Sequence, residues 1–217
     1  GPSGRLGQSL SRRAARLAGE WRQLYGRGEM ALLLAVFALA TLAGEAAFTV
    51  FGFYLVGTLG GSESLYGATV ALATGLGLVA YAWLGGRGQR YSAGDLIAAG
   101  ALLYVAMFAT MAGAPSALVA AGAFALPLYP LVRAGVTWSA GALTAEHERG
   151  GGMGALDGVE ALATTLGAVA AGAVGRAWGL RAVYAGCAAA ALVLSAAAWR
   201  LRVVLARRPA RPVAARA

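Results

Sequence analysis

Lysine is absent from the chain, and cysteine and histidine occur once each, as Cys187 and His147. Without lysine there is no P-loop lysine, no Schiff-base lysine and no lysine general base. One cysteine excludes an internal disulfide and any multi-cysteine metal site. One histidine excludes a two-histidine zinc motif. Charge is scarce as well: only 12% of residues are Asp, Glu, Lys or Arg, about half of what soluble domains carry. The charge that remains is lopsided, 18 arginines against 9 acids, for a net +9. No cofactor, metal or catalytic constellation is expected from such an inventory. Ser139 lies within an apolar stretch, but an intramembrane serine protease needs a histidine inside the membrane as its base. His147 stands instead in a polar loop between Glu146 and Glu148.

Apolar residues make up 59% of the chain and fall in long blocks. Crossing about 30 Å of hydrocarbon takes about 20 helical residues. Six stretches meet that length: 30–56, 64–85, 95–113, 116–144, 154–175 and 180–200. They are too long and too evenly apolar for strands, and they lack the in/out alternation of a barrel. A helix satisfies its own backbone polar groups in lipid, so the expected fold is all-α, a bundle of six transmembrane helices. The connections are short: Gly-Gly-Ser at 60–62, an Arg- and Gly-rich loop at 86–94, Ala114-Pro115, the run AEHERGGGM at 145–153 and a turn at 176–179. The Gly150–Gly154 run has no lysine to cradle a phosphate and reads as a hinge or tight turn. The chain therefore divides into a basic linker (1–29), a bundle (30–202) and a basic tail (203–217).

Six spans put both ends on one side. The leading segment carries Arg5, Arg12, Arg13, Arg16, Arg22 and Arg27, and the trailing one Arg200, Arg202, Arg207, Arg208, Arg211 and Arg216. The loops on that side add Arg87, Arg90 and Arg149, while the opposite side holds only Arg176 and Arg181. The positive-inside rule then places both termini in the cytoplasm of a cell whose inner (plasma) membrane the chain crosses several times. Arginines there meet anionic lipid headgroups, worth roughly 1 kcal/mol each near the surface, which accounts for the basicity without nucleic acid. Residues 9–25 can form a basic amphipathic helix with Leu10, Leu17, Trp21 and Leu24 on one side, suited to the membrane interface. The chain opens on Gly-Pro rather than Met, and a further upstream segment is expected.

Three local features, in this order and spacing, resemble the C-terminal six-helix half of a major facilitator superfamily transporter. The loop GRGQRYSAGDL (86–96) is similar to the family's Gly-x-x-Asp-Arg-x-Gly-x-Arg loop. Gly86, Arg90 and Tyr91 fit it; Gln89 stands where the acid is expected, and Ser92 where the glycine is. Residues 144–184 look like the family's link from its tenth to its twelfth helix, and LPLYPLVRAG (126–135) like its Pro-bearing tenth helix. The resemblance runs from about Trp21 to Arg202. It implies two inverted three-helix repeats, with solute near the bilayer midplane between two such halves. It implies that the first, second, fourth and fifth spans face the cavity or the other half, and that the third and sixth face lipid. The partners it implies are a small-molecule solute, protons, and an N-terminal six-helix half or a second copy.

Charges inside the spans need a reason, because each costs about 2.5–3.5 kcal/mol at a helix centre on insertion scales. Glu45 lies near the middle of the first span and Arg133 near the middle of the fourth. Their depths differ by roughly 6 Å at about 1.5 Å per residue, so the two side chains can meet in at least one state. They serve either as a substrate and proton pathway or as a static pair pinning two helices. Asp157 and Glu160 share one face of the fifth span. They either favour the helix N-terminus through its dipole or form a cytoplasmic gate with Arg90 or Arg149, as the family's loop arginines do; Glu146 and Glu148 are other candidate acids. Pro127 and Pro130 flank Tyr129 and make either a hinge or a packing kink. Tyr129, Trp138, Phe48, Phe51 and Tyr54 line a cavity or sit against lipid. Gly75, Gly77, Gly167, Gly172 and Gly175 are read as small faces for close helix contact. The function expected is secondary transport of a small solute by alternating access, with proton-coupled export favoured over uptake. The alternative is a non-transporting six-helix scaffold or assembly protein.

Overall fold

A computed structural model describes residues 28–87 and 90–207. The amphipathic stretch 9–25, Gln89 and the tail from 208 lie outside the described residues. Among those described there are helices and no strands. In chain order they are α1 (Gly28–Gly52, continued by a wider π turn over Phe53–Thr58), α2 (Glu63–Arg87), α3 (Ala93–Ala112), α4 (Ala117–Phe124), α5 (Leu128–Leu143), α6 (Arg149–Trp178) and α7 (Leu180–Ala206). Taken as spans, with α4 and α5 together, six helices are long and apolar enough to cross a bilayer. This agrees with the six stretches read from the sequence.

Local chemistry sets the ends. Ser92 caps α3, accepting the Asp95 N–H at 3.0 Å, and Ser116 caps α4; each satisfies one amide that the first helical turn leaves without a partner. Gly179, at φ +83°, lets the chain reverse between α6 and α7, a backbone conformation glycine enters freely. The fourth stretch is broken rather than merely kinked. α4 stops at Phe124, and Pro127 (φ −82°, ψ 64°) forms an inverse γ-turn in which the Leu128 N–H donates to the Leu126 carbonyl at 2.9 Å. Pro130 falls in the first turn of α5, where the missing N–H costs no helical bond.

The glycine run at 150–154 is not a flexible connection. It belongs to the first turns of α6, which starts at Arg149. Gly152 packs so closely on Thr144 that a Cβ there would sit 2.7 Å from the threonine methyl. Packing against the end of α5 therefore overrides the poor helix propensity of glycine.

α1 lies at the centre and touches α5, α6 and α7. α3 and α7 make the most extensive helix pair, and α3 also packs on α5. The buried stripe of α7 runs Tyr184, Cys187, Ala191, Leu194, Ala198 and Leu201, alternating three and four residues, the period of a packed helix face. Two buried tyrosines lock α1 to its neighbours. Tyr54 donates to the Met111 carbonyl at 2.6 Å, and Tyr184 to the Ala47 carbonyl at 3.1 Å. Gly167 lets α6 close on α1, since a Cβ there would lie 2.6 Å from the Leu42 carbonyl oxygen. Gly75 and Gly172, by contrast, have nothing within contact of such an atom, so they do not serve as close-contact faces among the described residues. Arg202 of α7 pairs with Asp95 of α3 at 2.5 Å. That pair places the start of α3 and the C-terminal end of α7 at one end of the bundle.

Burial is uneven. In their most apolar stretches, α2 buries 11% of its residues and α6 17%, against 50% for α1 and for α3. Leu72, Leu76, Leu78 and Val79 of α2 and Leu162, Leu166 and Val169 of α6 are exposed. α3 keeps an outward stripe that includes Leu102 and Leu103, but its opposite face is among the best packed in the molecule.

Candidate functional site

Two adjoining features occupy the middle of the bundle: a cavity and an ion cluster. The cavity has a volume of about 430 Å³, within the range of about 300–1,000 Å³ usual for small-molecule sites. Its walls come from the middle of α1, from α2, from Tyr104 and Met107 of α3, and from the α4–α5 break. Glu45, Phe48, Gly77, Pro127, Tyr129 and Pro130 all line it, so six of the residues singled out from the sequence share one cavity. Among its described lining residues Glu45 is the one acid, and none is basic. Phe48 stacks on Phe124 at 6.1 Å between ring centres, and Phe124 lies flat on Phe51 at 3.8 Å.

The ion cluster sits between α5 and α6. The Arg133 guanidinium donates from Nη1 to Glu160 Oε2 at 2.5 Å and from Nη2 to Asp157 Oδ1 at 3.3 Å. The Tyr129 hydroxyl donates to the other Glu160 oxygen, Oε1, through a short hydrogen bond. The guanidinium also lies over the Phe37 ring of α1, 5.0 Å from its centre, within cation–π reach. Tyr129 and Arg133 are one turn apart on α5, while Asp157 and Glu160 are i, i+3 on α6. Both pairs therefore present to one facing seam. Arg133 is only 21% exposed and Glu160 28%, whereas Asp157 is 65% exposed. Desolvation thus strengthens the Glu160 contact and leaves the Asp157 contact screened.

The arrangement differs from the pairings expected of the sequence. In this conformation Arg133 is held by Glu160 and Asp157 on α6 rather than by Glu45, and it does not line the cavity. The Glu45 carboxylate makes no hydrogen bond or ion pair with any described residue. The same geometry takes Asp157 and Glu160 away from Arg90 and Arg149, both of which are exposed and without an ion pair among the described residues. The physical reason is reach: a charge inside an apolar span takes the partner on the adjacent helix before one in a loop. Trp138 is half-buried on α5, away from the cavity. Phe51 and Tyr54, read as cavity or lipid-facing residues, are instead fully buried in the core.

The sequence reading did not reach Thr41, Tyr81, Tyr104 and Phe37. Tyr81 and Tyr104 line the cavity from α2 and α3, and no local spacing relates them to Glu45. Thr41 carried a usable signal, since it stands four residues before Glu45 on the same face of α1. It is 3% exposed, it lines the cavity, and its hydroxyl has no hydrogen-bond partner among the described residues. Thr49, Thr69, Thr74 and Thr110 all donate instead to the carbonyl four residues back.

The chain matches no known protein-family model and no curated protein.

Proposed function

We propose that the chain forms one six-helix half of a secondary transporter of the major facilitator type. It moves a small solute across the inner membrane by alternating access and couples export to protons. The observation that carries this reading is the placement of Glu45. An acid without an ion-pair partner among the described residues lies midway along an apolar helix, on the wall of a cavity and beside a break in the opposite helix. No packing need is met by a carboxylate there, and its insertion is costly. A carboxyl group in that position can take up a proton or a solute in turn.

The rest of the reading follows from the same frame. The open faces of α2 and α6 are where an N-terminal half, or a second copy, would seat. The two inverted three-helix repeats would relate α1–α3 to α4–α7. The arginine-bearing end of the bundle faces the cytoplasm and anionic headgroups. Arg90 and Arg149 then border a cytoplasmic gate. Asp157 and Glu160 exchange Arg133 for these groups as the halves rock, and Glu45 meets Arg133 in another state. Pro127 marks the hinge, with Phe48 and Tyr129 along the solute path.

The test is flux into proteoliposomes across a panel of solutes, with and without a pH gradient. The expected result is gradient-driven flux that Glu45→Gln abolishes while the protein stays folded. If no solute moves and α2 and α6 instead hold a stable partner protein, the chain is a scaffold, a reading that those two open faces would also serve.

A further inference from the structure

The cavity carries information about the charge of what it holds. Glu45 is the one charged side chain among its described lining residues, and Arg133 is already engaged by two carboxylates outside it. An anion entering the cavity would face a carboxylate with no compensating cation. A neutral polar solute would leave that carboxylate unpaired. Around Glu45 the wall is aromatic: Phe48, Tyr81, Tyr104, Phe124 and Tyr129. Ring faces attract cations and give apolar area to the rest of a ligand. A further polar feature is the Thr41 hydroxyl, buried, without a partner among the described residues and one helical turn from Glu45. A buried hydroxyl left unpaired is costly; the oxygen is covered in this conformation, and a rotation about χ1 to another staggered rotamer turns it toward a donor in the cavity that Thr41 lines. Side chains at i and i+4 stand about 5–6 Å apart, so one nitrogen bearing N–H groups can reach both.

We propose that the cavity binds a protonated lipophilic amine with at least one N–H. Its ammonium donates to Glu45 and Thr41, and its apolar body lies among the aromatic rings. This rests on the transporter reading only for what happens after binding; the site itself stands on the cavity, the lone carboxylate and the unpaired threonine.

The experiment measures binding to the protein in nanodiscs of zwitterionic lipid, which keeps probe cations off anionic headgroups. Four probes share one apolar body: 4-phenylbutylammonium, its N-trimethyl analogue, 4-phenylbutanol and 4-phenylbutyrate. The expected order is ammonium first, then trimethylammonium, then alcohol, with the carboxylate weakest. Glu45→Gln lowers ammonium affinity by about tenfold to a hundredfold, the scale of a charge-assisted hydrogen bond, and leaves the alcohol unchanged. Glu45→Asp keeps the preference for cations and so reports that the fold is intact. Thr41→Val weakens the ammonium about fivefold, the scale of one hydrogen bond, and spares the trimethyl analogue. Equal or tighter binding of the carboxylate, or ammonium binding indifferent to Glu45→Gln, overturns the inference. Flux of other solutes without ammonium binding overturns it too, yet leaves the transport reading standing. Ammonium binding without flux supports the site and removes the transport reading.

Discussion

Arg133 on α5 donates to Glu160 on α6 at 2.5 Å, with both side chains largely withdrawn from solvent. This contact bridges the seam between the second half of the broken span and the long fifth span. It also leaves Glu45 alone on the cavity wall, and the functional reading depends on that separation.

The two acids on α6 should differ in their contribution to stability. Glu160→Gln leaves a half-buried guanidinium short of its main partner and is expected to cost about 1–3 kcal/mol, between the values for exposed and for fully buried pairs. Asp157→Asn removes a solvent-screened contact and should cost under about 1 kcal/mol. Thermal unfolding in detergent compares the two directly. A double-mutant cycle of Arg133→Met with Glu160→Met isolates the pair; a coupling near zero would show that the contact contributes nothing.

Glycine positions separate in the same way. Gly167→Ala places a methyl group 2.6 Å from the Leu42 carbonyl oxygen, so α1 and α6 must part, at an expected cost of about 1–3 kcal/mol. Gly172→Ala meets nothing, and should be neutral or stabilising by up to about 1 kcal/mol through helix propensity. The melting temperatures of the two variants check this, and equal shifts would contradict it.

Pro127 and Pro130 look alike in sequence and should behave differently. Pro127 holds the turn that interrupts the fourth span, so Pro127→Ala lets Phe124 and Leu128 join in one helix. The expected signature is slowed hydrogen exchange over residues 124–130 together with loss of flux. Pro130 lies in a first turn where no helical bond is missing, and Pro130→Ala should change neither by more than about twofold, or about 0.4 kcal/mol.

Topology can be read with a thiol reagent that does not cross membranes. Cys187 is buried, its thiol directed at the Ala43 carbonyl at 3.4 Å, and the native protein should resist labelling. In a Cys187→Ala background, Tyr91→Cys, at an exposed position of the 86–96 loop, is expected to label only from the arginine-rich side. Ser64→Cys, at the start of α2, should label only from the other. Labelling of both from one side would contradict the six-span arrangement.

Some of this was legible along the chain because it follows from one-dimensional regularities. Length and apolarity mark six spans, since hydrocarbon thickness sets a minimum helix length. The i, i+3 spacing of Asp157 and Glu160 and the i, i+4 spacing of Tyr129 and Arg133 announce shared helix faces. The two prolines announce a hinge or a kink in the fourth span, though not that Pro127 alone breaks it. Charges inside apolar helices announce that partners must exist. Their identity was not legible, because a carboxylate on α1 and two on α6 all lie at reachable depth, and only the rotation and crossing of helices decide which meets Arg133. The same applies to Thr41, Tyr81 and Tyr104, which come from three helices and share a wall only once those helices pack.

The sequence by itself therefore determined an all-helical chain of six bilayer-length rods with its arginines concentrated toward one end. Solvation energy is a property of each segment taken alone. The tertiary structure alone decided that α6 closes on α1 at Gly167, that Arg133 turns to Glu160, and that Glu45 is left facing an aromatic cavity. Those outcomes depend on ångström-scale fit between faces brought from distant parts of the chain, and no periodicity within one helix encodes that fit.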